Sequence, residues 1–589
     1  MKIMKKNYYK IICAICVICG FTSCSDFLDI KPQSEIILED FWNEKADVDN
    51  VVAGCYSALQ SDGVRKRMMI WGEARSENVM AGQGINNDVN LYNILKENIT
   101  AMNTYTTWDG FYDVINRCNT VLKYAPAVAE KDPAYTQGDL NATIAEVTAL
   151  RSLAYFYLIR TYRDVPFSRE AFTDDDQKMD LPATPFAEIL NNLIDDLEAV
   201  KDGAVKRYPE TKPLYQTGRI TQDAINAMLC EMYLWKGDYD NCIKYADLVI
   251  KSKKDIEEEE EKQSKSTADA KAIKEQRLNS FPLVFEELTN TTYGSSYRTI
   301  FCDGGSKETI FELNYDVDQA GNGMLANSAV SSLYGNSNGT GLLVGSKKLK
   351  EDIEATSQRI IFDDKNKKID VRLYLNCDGT ADAPRIMKLA AQRISVDAST
   401  VNPKMTSYSF YPQNNNSSQW IIYRLPDIML MKAEALCEKM KESSDEDSTT
   451  DVTAYNKPLI ETAFNLVNAI NKRSICKKDL TGSDTLLLAD YSTKATMTEL
   501  VKRERQRELM YEGKRWYDLV RYSMRAGNTD DVISAVKNRE DVNSSFVQNF
   551  FKKMDAIFWP YNIEEMKVNR NLVANPAFGS GENSSYEKN

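Results

Sequence analysis

The sequence predicts a mostly α-helical fold in which tetratricopeptide-like helix pairs support a loop-rich face. Three observations lead to this prediction. Apolar residues recur at helical spacing over about residues 36–250 and 420–530. Between these parts, residues 281–411 are rich in glycine, asparagine and turn signals. Residues 220–250 form two helical patterns joined at Gly237, and a glycine turn next to Tyr239 is typical of a tetratricopeptide hairpin.

The individual helices are predicted from apolar stripes. Val48, Val52 and Leu59 give one face of a first helix, and a second stripe begins at Trp108, which we therefore expect in the core. Residues 147–162 form a third stripe that is dense in aromatic residues. In the loop-rich region, the residues around Ile310 predict a short strand.

Residues 251–280 differ from the rest of the chain. They contain runs of lysine and glutamate with few apolar residues. Such composition predicts a solvated helical or flexible insertion rather than an acidic binding site.

The segment 500–521 carries Glu504, Glu508 and Glu512 at four-residue intervals, which places them on one helical face. We expect nearby arginines to pair with them and to keep them ionised, as in a structural ion-pair network rather than in acid–base catalysis. Gly513 predicts a left-handed helix end. The arginines expected to pair with this row are Arg503, Arg505, Arg507 and Arg515.

The same segment resembles the SusD/RagB-like outer-membrane nutrient-binding lipoproteins. The family pattern ER-x-x-EL-x-x-EG-x-RW-x-DL appears here as Glu504-Arg505, Glu508-Leu509, Glu512-Gly513, Arg515-Trp516 and Asp518-Leu519. Other family-like residues are Phe41, Trp42, Asp47, Val52, Gly54 and Tyr56, then Arg424, Asp427, Ala433, Glu434, Ala435 and Leu436, then Phe558, Trp559, Pro560, Glu564, Asn575, Pro576 and Gly579 in a C-terminal motif at residues 555–579. The resemblance implies a single SusD-like domain over residues 24–589.

The start of the chain predicts export and anchoring. Residues 1–23 combine early lysines with an apolar run at residues 11–21, as in a signal peptide. Cys24 follows two small or hydroxylated residues, a pattern similar to a bacterial lipobox without its usual leucine. We therefore expect a lipid on Cys24. The alternatives are an ordinary signal cut nearby and, less favoured by its apolar neighbours, lipidation of Cys19.

Cysteine and histidine usage limits the chemistry. Eight of the twelve cysteines lie beyond Cys24 without any CxxC pair, so we expect mostly buried free thiols, with one or two disulfides allowed by export. The chain has no histidine, which excludes Ser-His-Asp and Cys-His catalysis and HExxH zinc sites. A formal net charge of −13 makes nucleic acid an unsuitable partner.

No cofactor or metal site is predicted. Asp316, Asp318 and Gly321 imitate the start of a calcium loop, but Asn327 stands where a bidentate glutamate is needed. A calcium site of another type stays open.

The resemblance also implies a function. SusD-like proteins are non-catalytic lipoproteins on the cell surface, where they capture oligosaccharides and deliver them to a SusC-like TonB-dependent barrel in the outer membrane. A peptide ligand is the alternative within the family. A surface glycoside hydrolase with paired carboxylates is the alternative from another class.

We predict the ligand site where the loop after the first helices meets the middle loop region. Sugars offer C–H faces that stack on aromatic rings, and hydroxyl groups that need charged or amide partners. Family members usually have aspartate where Glu77 stands. The predicted ligand-binding residues are Trp71, Arg75, Glu77, Asn78, Tyr105, Tyr293, Tyr297 and Tyr334.

Overall fold

The computed structural model describes residues 41–174, 176–264, 268–286, 292–316, 325–347, 370–377, 384–397, 404–442, 451–476, 482, 484–537 and 539–578. The predicted signal peptide and Cys24 lie outside the described residues, as do Asp318, Gly321 and Gly579.

The prediction of a mostly α-helical fold is confirmed by the helices of the described chain. They are α1 (Lys45–Leu59), α2 (Asp62–Met69), α3 (Val89–Leu95), α4 (Asp109–Lys131), α5 (Gln137–Tyr162), α6 (Phe186–Val200), α7 (Tyr215–Gly218), α8 (Gln222–Lys236), α9 (Tyr239–Ser264), α10 (Ala268–Leu278), α11 (Ser295–Phe301), α12 (Ser328–Leu333), α13 (Arg372–Asn376), α14 (Leu425–Lys439), α15 (Val452–Ser474), α16 (Lys494–Leu509), α17 (Arg515–Ala526), α18 (Asp530–Val536), α19 (Ser544–Phe550) and α20 (Ile563–Val568). A π-helix (Ile70–Ala74) continues α2, and short 3₁₀ turns occur at Ile85–Asn87, Thr104–Thr106, Lys201–Gly203, Leu488–Tyr491, Met554–Ile557 and Pro576–Phe578.

The strands are short and pair antiparallel. They are β1 (Val79–Ala81), β2 (Val165–Pro166), β3 (Ala183–Thr184), β4 (Thr292–Tyr293), β5 (Thr309–Leu313), β6 (Gly335–Asn336), β7 (Gly339–Thr340), β8 (Leu343–Gly345), β9 (Ala391–Asp397), β10 (Lys404–Phe410) and β11 (Trp420–Arg424). β1 pairs with β8, β2 with β3, β6 with β7 and β5 with β11, while β9 lies between β4 and β10. β5 confirms the strand predicted around Ile310.

Helix α5 is the central core helix. Thr136 and Asp139 form a reciprocal capping box at its start, which satisfies free N–H groups of the first turn. Residues 145–162 are all buried, because this part of the helix is covered on every side, with α4 and α6 among its neighbours. By length and composition α5 could cross a membrane, but 89% of its most apolar window is buried inside the fold.

The helix pair α8–α9 has the predicted turn. Gly237 adopts a φ of +81°, a conformation that costs glycine little, and ends α8. The rings of Tyr233 and Tyr245 stack across the hairpin with centroids 5.7 Å apart. The likeness to a tetratricopeptide repeat stays a prediction.

The charged segment is helical. Helix α9 continues to Ser264, and α10 follows and packs against α15. Lys274 of α10 forms ion pairs with Glu257 at 2.5 Å and Glu261 at 2.7 Å, both on α9. The sequence predicted either a helical or a flexible insertion, and the described residues of this segment up to Leu278 are helical.

The turn between α16 and α17 is in close contact with the π-helix. Gly513 has the predicted left-handed conformation, with a φ of +68°, but α16 ends four residues earlier, at Leu509, so the helix end predicted at Gly513 is wrong. A Cβ atom on Gly72 would lie 1.8 Å from the carbonyl oxygen of Gly513. This approach brings the N-terminal and C-terminal parts of the chain together, and buried apolar residues from Trp42 to Ala577 form one hydrophobic cluster.

Candidate functional site

Glu508 lies at the centre of a buried ion-pair network. Its carboxylate accepts hydrogen bonds from Arg424 at 2.6 Å and Arg372 at 3.0 Å, and it also pairs with Arg473. Burial alone would raise the pKa of Glu508, but these three arginines outweigh burial and hold its pKa well below the usual range. The carboxylate therefore stays ionised, and the ion-pair network predicted around it is confirmed.

Each neighbouring glutamate shares an arginine with Glu508. Glu504 accepts hydrogen bonds from Arg372 and Arg507, both at 2.8 Å. Glu512 accepts one from Arg424 at 2.7 Å. Glu504 and Glu508 lie on α16, but the helix ends at Leu509, so the prediction that Glu512 shares their helical face is wrong. The row joins this part of the chain to Arg372 and Arg424, which lie more than eighty positions away.

The predicted partners of the glutamate row are wrong for Arg505 and Arg515. Arg505 pairs with Asp518 at 2.9 Å, and Arg515 pairs with Glu77 at 2.6 Å. Arg503 forms an ion pair within its own helix. Arg503 and Arg505 flank Glu504 and leave the helix in other directions, whereas Arg507 lies three positions after Glu504, on the same side of the helix, and pairs with it. Arg515 begins the next helix, α17.

Trp71 and Arg75 are core residues, and their prediction as ligand contacts is corrected. Both are 0% exposed. The Trp71 ring stacks on Phe111 with centroids 4.9 Å apart. Arg75 donates to Glu97 at 2.9 Å and lies 4.3 Å over the ring of Trp516. Neither side chain can reach a ligand at the surface, because the surrounding aromatic groups enclose both.

Glu77 and Asn78 are also internal. Besides its ion pair with Arg515, Glu77 accepts a hydrogen bond from Gln506 at 2.9 Å, and Gln506 also donates to Asn78 at 2.8 Å. Asn78 in turn donates to Glu73 at 2.7 Å. These residues hold the loop after the π-helix against α16, which corrects their predicted role in ligand binding.

The predicted tyrosines of the middle region are buried as well. Tyr293, Tyr297 and Tyr334 are 3%, 1% and 1% exposed. Their hydroxyl groups donate to main-chain carbonyls, that of Tyr293 at 2.7 Å and that of Tyr334 at 3.1 Å. The prediction that their rings contact a ligand is corrected. Tyr105 is partly exposed and donates to Asp88 at 2.6 Å, and Trp108 is in the core as predicted.

A small cavity lies beside Tyr293 and Tyr297. Its volume is about 50 Å³, and charged groups of Arg372, Lys388 and Glu508 help to line it. Ligand pockets usually occupy about 300–1,000 Å³. This cavity has space for a few water molecules and not for a sugar. Among the described residues, no group of three or more Cys, Asp or Glu side chains is arranged to hold a metal ion.

An exposed aromatic and amide-rich surface lies elsewhere in the loop-rich region. We call it the Tyr408 surface and define it by Tyr408, Phe410, Arg385, the hairpin 335–340 and the segment 412–415. The Tyr408 ring is 47% exposed. It meets Phe410 edge to face, with centroids 5.6 Å apart and planes at 87°. Phe410, at the end of β10, thus supports the Tyr408 ring, which faces solvent.

Arg385 fixes the hairpin against this support. Its guanidinium lies 3.7 Å from the centre of the Phe410 ring, a cation–π contact. It donates to the carbonyls of Asn336 and Gly339, both at 3.0 Å. Gly335 has a φ of +114°, which favours glycine at the start of the hairpin. Arg385 therefore holds the hairpin through two main-chain carbonyls and packs against Phe410 at the same time.

Amide groups lie on and near the hairpin that Arg385 joins to Phe410. Residues 337–340 and 412–415 are exposed. Asn338 donates to the side chain of Gln413 at 3.1 Å, and the main chain of Ser337 donates to Tyr411 at 2.9 Å. Amide side chains offer donors and acceptors together, which suits the hydroxyl groups of a sugar. The exposed Tyr408 ring, which packs on Phe410 of the same surface, suits its C–H face.

Sequence reasoning missed this surface because β9 and β10 carry few apolar residues. The strand pattern of Lys404–Phe410 is mostly polar and exposed, so the region reads as a loop. The useful signal was the pair Tyr408 and Phe410, two aromatic residues at strand spacing, next to the run of asparagines at 414–416.

Comparison with known proteins identifies the family. A family model described as "SusD family" matches residues 387–578, and a second one, described as "Starch-binding associating with outer membrane", matches residues 26–234. Together they span more than half of the chain. The chain belongs to the SusD/RagB family.

Relatives agree with this assignment over most of the chain. SusD-like protein P25 of Formosa agariphila is 24% identical and aligns with 97% of this chain and 99% of its own length. SusD-like protein P38 of the same organism is also 24% identical, over 85% of this chain and 88% of the relative.

Solved SusD structures share the fold. A SusD superfamily protein of Bacteroides thetaiotaomicron has a TM-score of 0.58 at 20% identity, covering 91% of this chain and 99% of that one. A laminarin-binding SusD-like protein has a TM-score of 0.57 at 18% identity, covering 91% of this chain and all of its own. At these identities the likeness shows the fold alone.

Proposed function

We propose that this SusD-family chain is a non-catalytic, cell-surface lipoprotein of the outer membrane. It binds oligosaccharides at the Tyr408 surface and delivers them to a SusC-like TonB-dependent barrel. The observation that carries this proposal is the exposed Tyr408 ring, which packs on Phe410 and is connected through Arg385 to the amide-rich hairpin. A family model described as starch-binding and associating with the outer membrane supports the ligand class and the location, and the laminarin-binding relative supports the ligand class further.

The environment of the glutamate row favours binding over catalysis by these residues. A glycosidase needs two carboxyl groups on either side of the scissile bond, one of them with a raised pKa. Glu504, Glu508 and Glu512 are enclosed by cations instead, with pKa values that their arginine and lysine partners lower against the effect of burial. This row offers no proton to a substrate.

Calorimetry with a panel of oligosaccharides tests the proposed site. The panel contains β-1,3-glucan and starch fragments, with unrelated peptides as the other arm. We expect Tyr408→Ala to weaken glycan binding roughly two- to tenfold, since a ring contact contributes about 0.5–1.5 kcal/mol. Tyr408→Phe keeps the ring and should keep most of the affinity. Tyr455→Ala is the matched control, because Tyr455 is 39% exposed but lies on α15.

Three results would contradict parts of the proposal. Equal affinity of wild type and Tyr408→Ala would remove the site from this surface. Binding of peptides without any glycan would favour the peptide alternative. Release of shorter sugars during the titration would favour a hydrolase.

Delivery to a barrel is tested by purification. A tagged chain extracted from outer membranes in mild detergent should carry a TonB-dependent transporter with it. Recovery of the lipid-bearing chain by itself under several mild detergents would contradict the partnership.

A further inference from the structure

Cys230 and Cys242 face each other inside the helix pair α8–α9. Their sulfur atoms are 3.7 Å apart, and both residues are 0% exposed. Gly237 turns the chain between them. The Cys242 thiol also lies 3.9 Å from the carbonyl oxygen of Met431 on α14. In the structure both sulfur atoms are thiols, as are those of the other described cysteines.

We propose that Cys230 and Cys242 form an intramolecular disulfide in the exported protein. A disulfide bond is about 2.05 Å long, so the sulfur atoms need to approach by roughly 1.7 Å. Rotation about the Cα–Cβ bonds of two side chains that already touch can supply most of this approach. The oxidising conditions outside the cytoplasm favour the bridge, and in this respect the inference rests on the proposed cell-surface location.

The short loop favours this pair over the other close pair. Cys230 and Cys242 belong to consecutive helices, and twelve positions separate them in the chain. Cys55 and Cys118 also contact each other, but they belong to α1 and α4 and are much further apart in sequence. Closing a short loop costs less chain entropy, so the hairpin brings its two cysteines together early in folding.

The chemistry requires a partner disulfide, which we assign to a thiol–disulfide oxidoreductase. The thiolate of Cys242 attacks one sulfur of the partner's disulfide and releases the other partner sulfur as a thiolate. The thiolate of Cys230 then attacks the mixed disulfide. The bond between Cys230 and Cys242 forms, the partner's disulfide breaks, and two electrons and two protons pass to the partner. Burial prevents this exchange in the folded chain, so it precedes the packing of the hairpin against α14.

The bridge would strengthen an internal part of the scaffold. Glu231, next to Cys230, pairs with Arg160 of α5 at 2.8 Å and accepts a hydrogen bond from Tyr423 at 2.6 Å. A bridge between α8 and α9 would therefore also stabilise the position of Glu231 on α8, and with it the ion pair to Arg160. Because a cross-link restricts the unfolded chain, its loss lowers the melting temperature.

Mass spectrometry of the full chain tests the bridge. The protein is taken from the outer-membrane fraction, unfolded without reductant and alkylated with iodoacetamide. We expect the peptides of Cys230 and Cys242 to appear joined, with two hydrogens missing, and to separate after reduction. Cys437, whose thiol lies beside Thr498, is the internal control and should be alkylated before reduction. Alkyl groups on both Cys230 and Cys242 before reduction would overturn the proposal.

A stability measurement adds a readout that does not depend on peptide mapping. Reduction should lower the melting temperature of the bridged protein by about 2–4 °C, from the loop length and the size of the chain. The double variant Cys230→Ala/Cys242→Ala should not respond to reduction, and Cys437→Ala should respond like wild type. If the chain is instead found in the cytoplasm with free thiols, the proposed location fails. The purified chain is then unfolded and refolded in a buffer of reduced and oxidised glutathione, so that both thiols are accessible before the hairpin packs, and free thiols on this pair after refolding would overturn the bridge as well.

Discussion

Removing the Glu508 carboxylate should destabilise the whole fold. The Glu508 side chain is buried, with 3% of it exposed. In Glu508→Ala the three arginines around this carboxylate lose their shared partner inside the protein. Breaking a buried ion pair from one side costs about 3–5 kcal/mol. For a chain of this size about 1 kcal/mol corresponds to one degree, so we expect the melting temperature to fall by about 3–5 °C.

The acid dependence of stability gives a second measure of the same network. The pKa of Glu508 is depressed in the folded state, so its contribution is present above the unfolded value of about 4.3 and is lost as the pH falls below it. The difference in stability between wild type and Glu508→Gln should therefore be largest near neutral pH. It should shrink as the solution becomes acidic.

Differential scanning calorimetry at several pH values measures both effects. Glu258→Ala is the control, because Glu258 is exposed on α9 and its loss should change little. Glu508→Ala with the melting temperature of wild type would refute the reasoning. Normal stability together with lost glycan binding would move this row from the scaffold to the ligand site.

Two further predictions concern Glu73 and Cys24. Burial raises the pKa of Glu73 to about 7, so the stability of wild type falls as the pH rises through that value, and Glu73→Gln should gain stability relative to wild type between about pH 5 and pH 8. Thermal melts across this range check it, and a constant difference would contradict it. Cys24→Ala should move the protein from the membrane fraction to the soluble fraction, because the predicted lipid is attached there. Membrane-bound Cys24→Ala with lipid on Cys19 would place the signal boundary elsewhere.

Local features of the fold could be predicted from local sequence. Gly237 and Gly513 mark left-handed turns because glycine adopts them at little cost, and the structure has both. The apolar stripe of α1 follows from helical periodicity over a few turns, and Val48 and Leu59 are buried as this periodicity predicts. Patterns over a few residues suffice for such elements.

Partners across the chain could not be predicted in this way. Arg372 and Arg424 reach the glutamate row from separate segments of the chain, and no local sequence pattern predicts that they pair with it. The ligand prediction failed for a related reason. Trp71 stands near polar residues in the sequence, but whether a ring is covered depends on elements such as Phe111 that pack on it from elsewhere. Exposure of Tyr408 is likewise a property of the assembled fold.

The contacts between the N-terminal and C-terminal parts of the chain determine when the core can close during folding. Arg75 donates to the carbonyl of Ala556 at 2.8 Å, across 481 positions, and the main chain of Trp559 donates to Thr161 at 2.8 Å. On the proposed route to the cell surface the N-terminal part emerges first, and the core around Trp71 that later packs on Trp559 is then open to water. Contacts over such long separations form late, since the entropy of closing the intervening chain must be overcome. Until the last tenth of the polypeptide has crossed the membrane, the core therefore remains accessible to proteases and to chaperones that bind apolar segments.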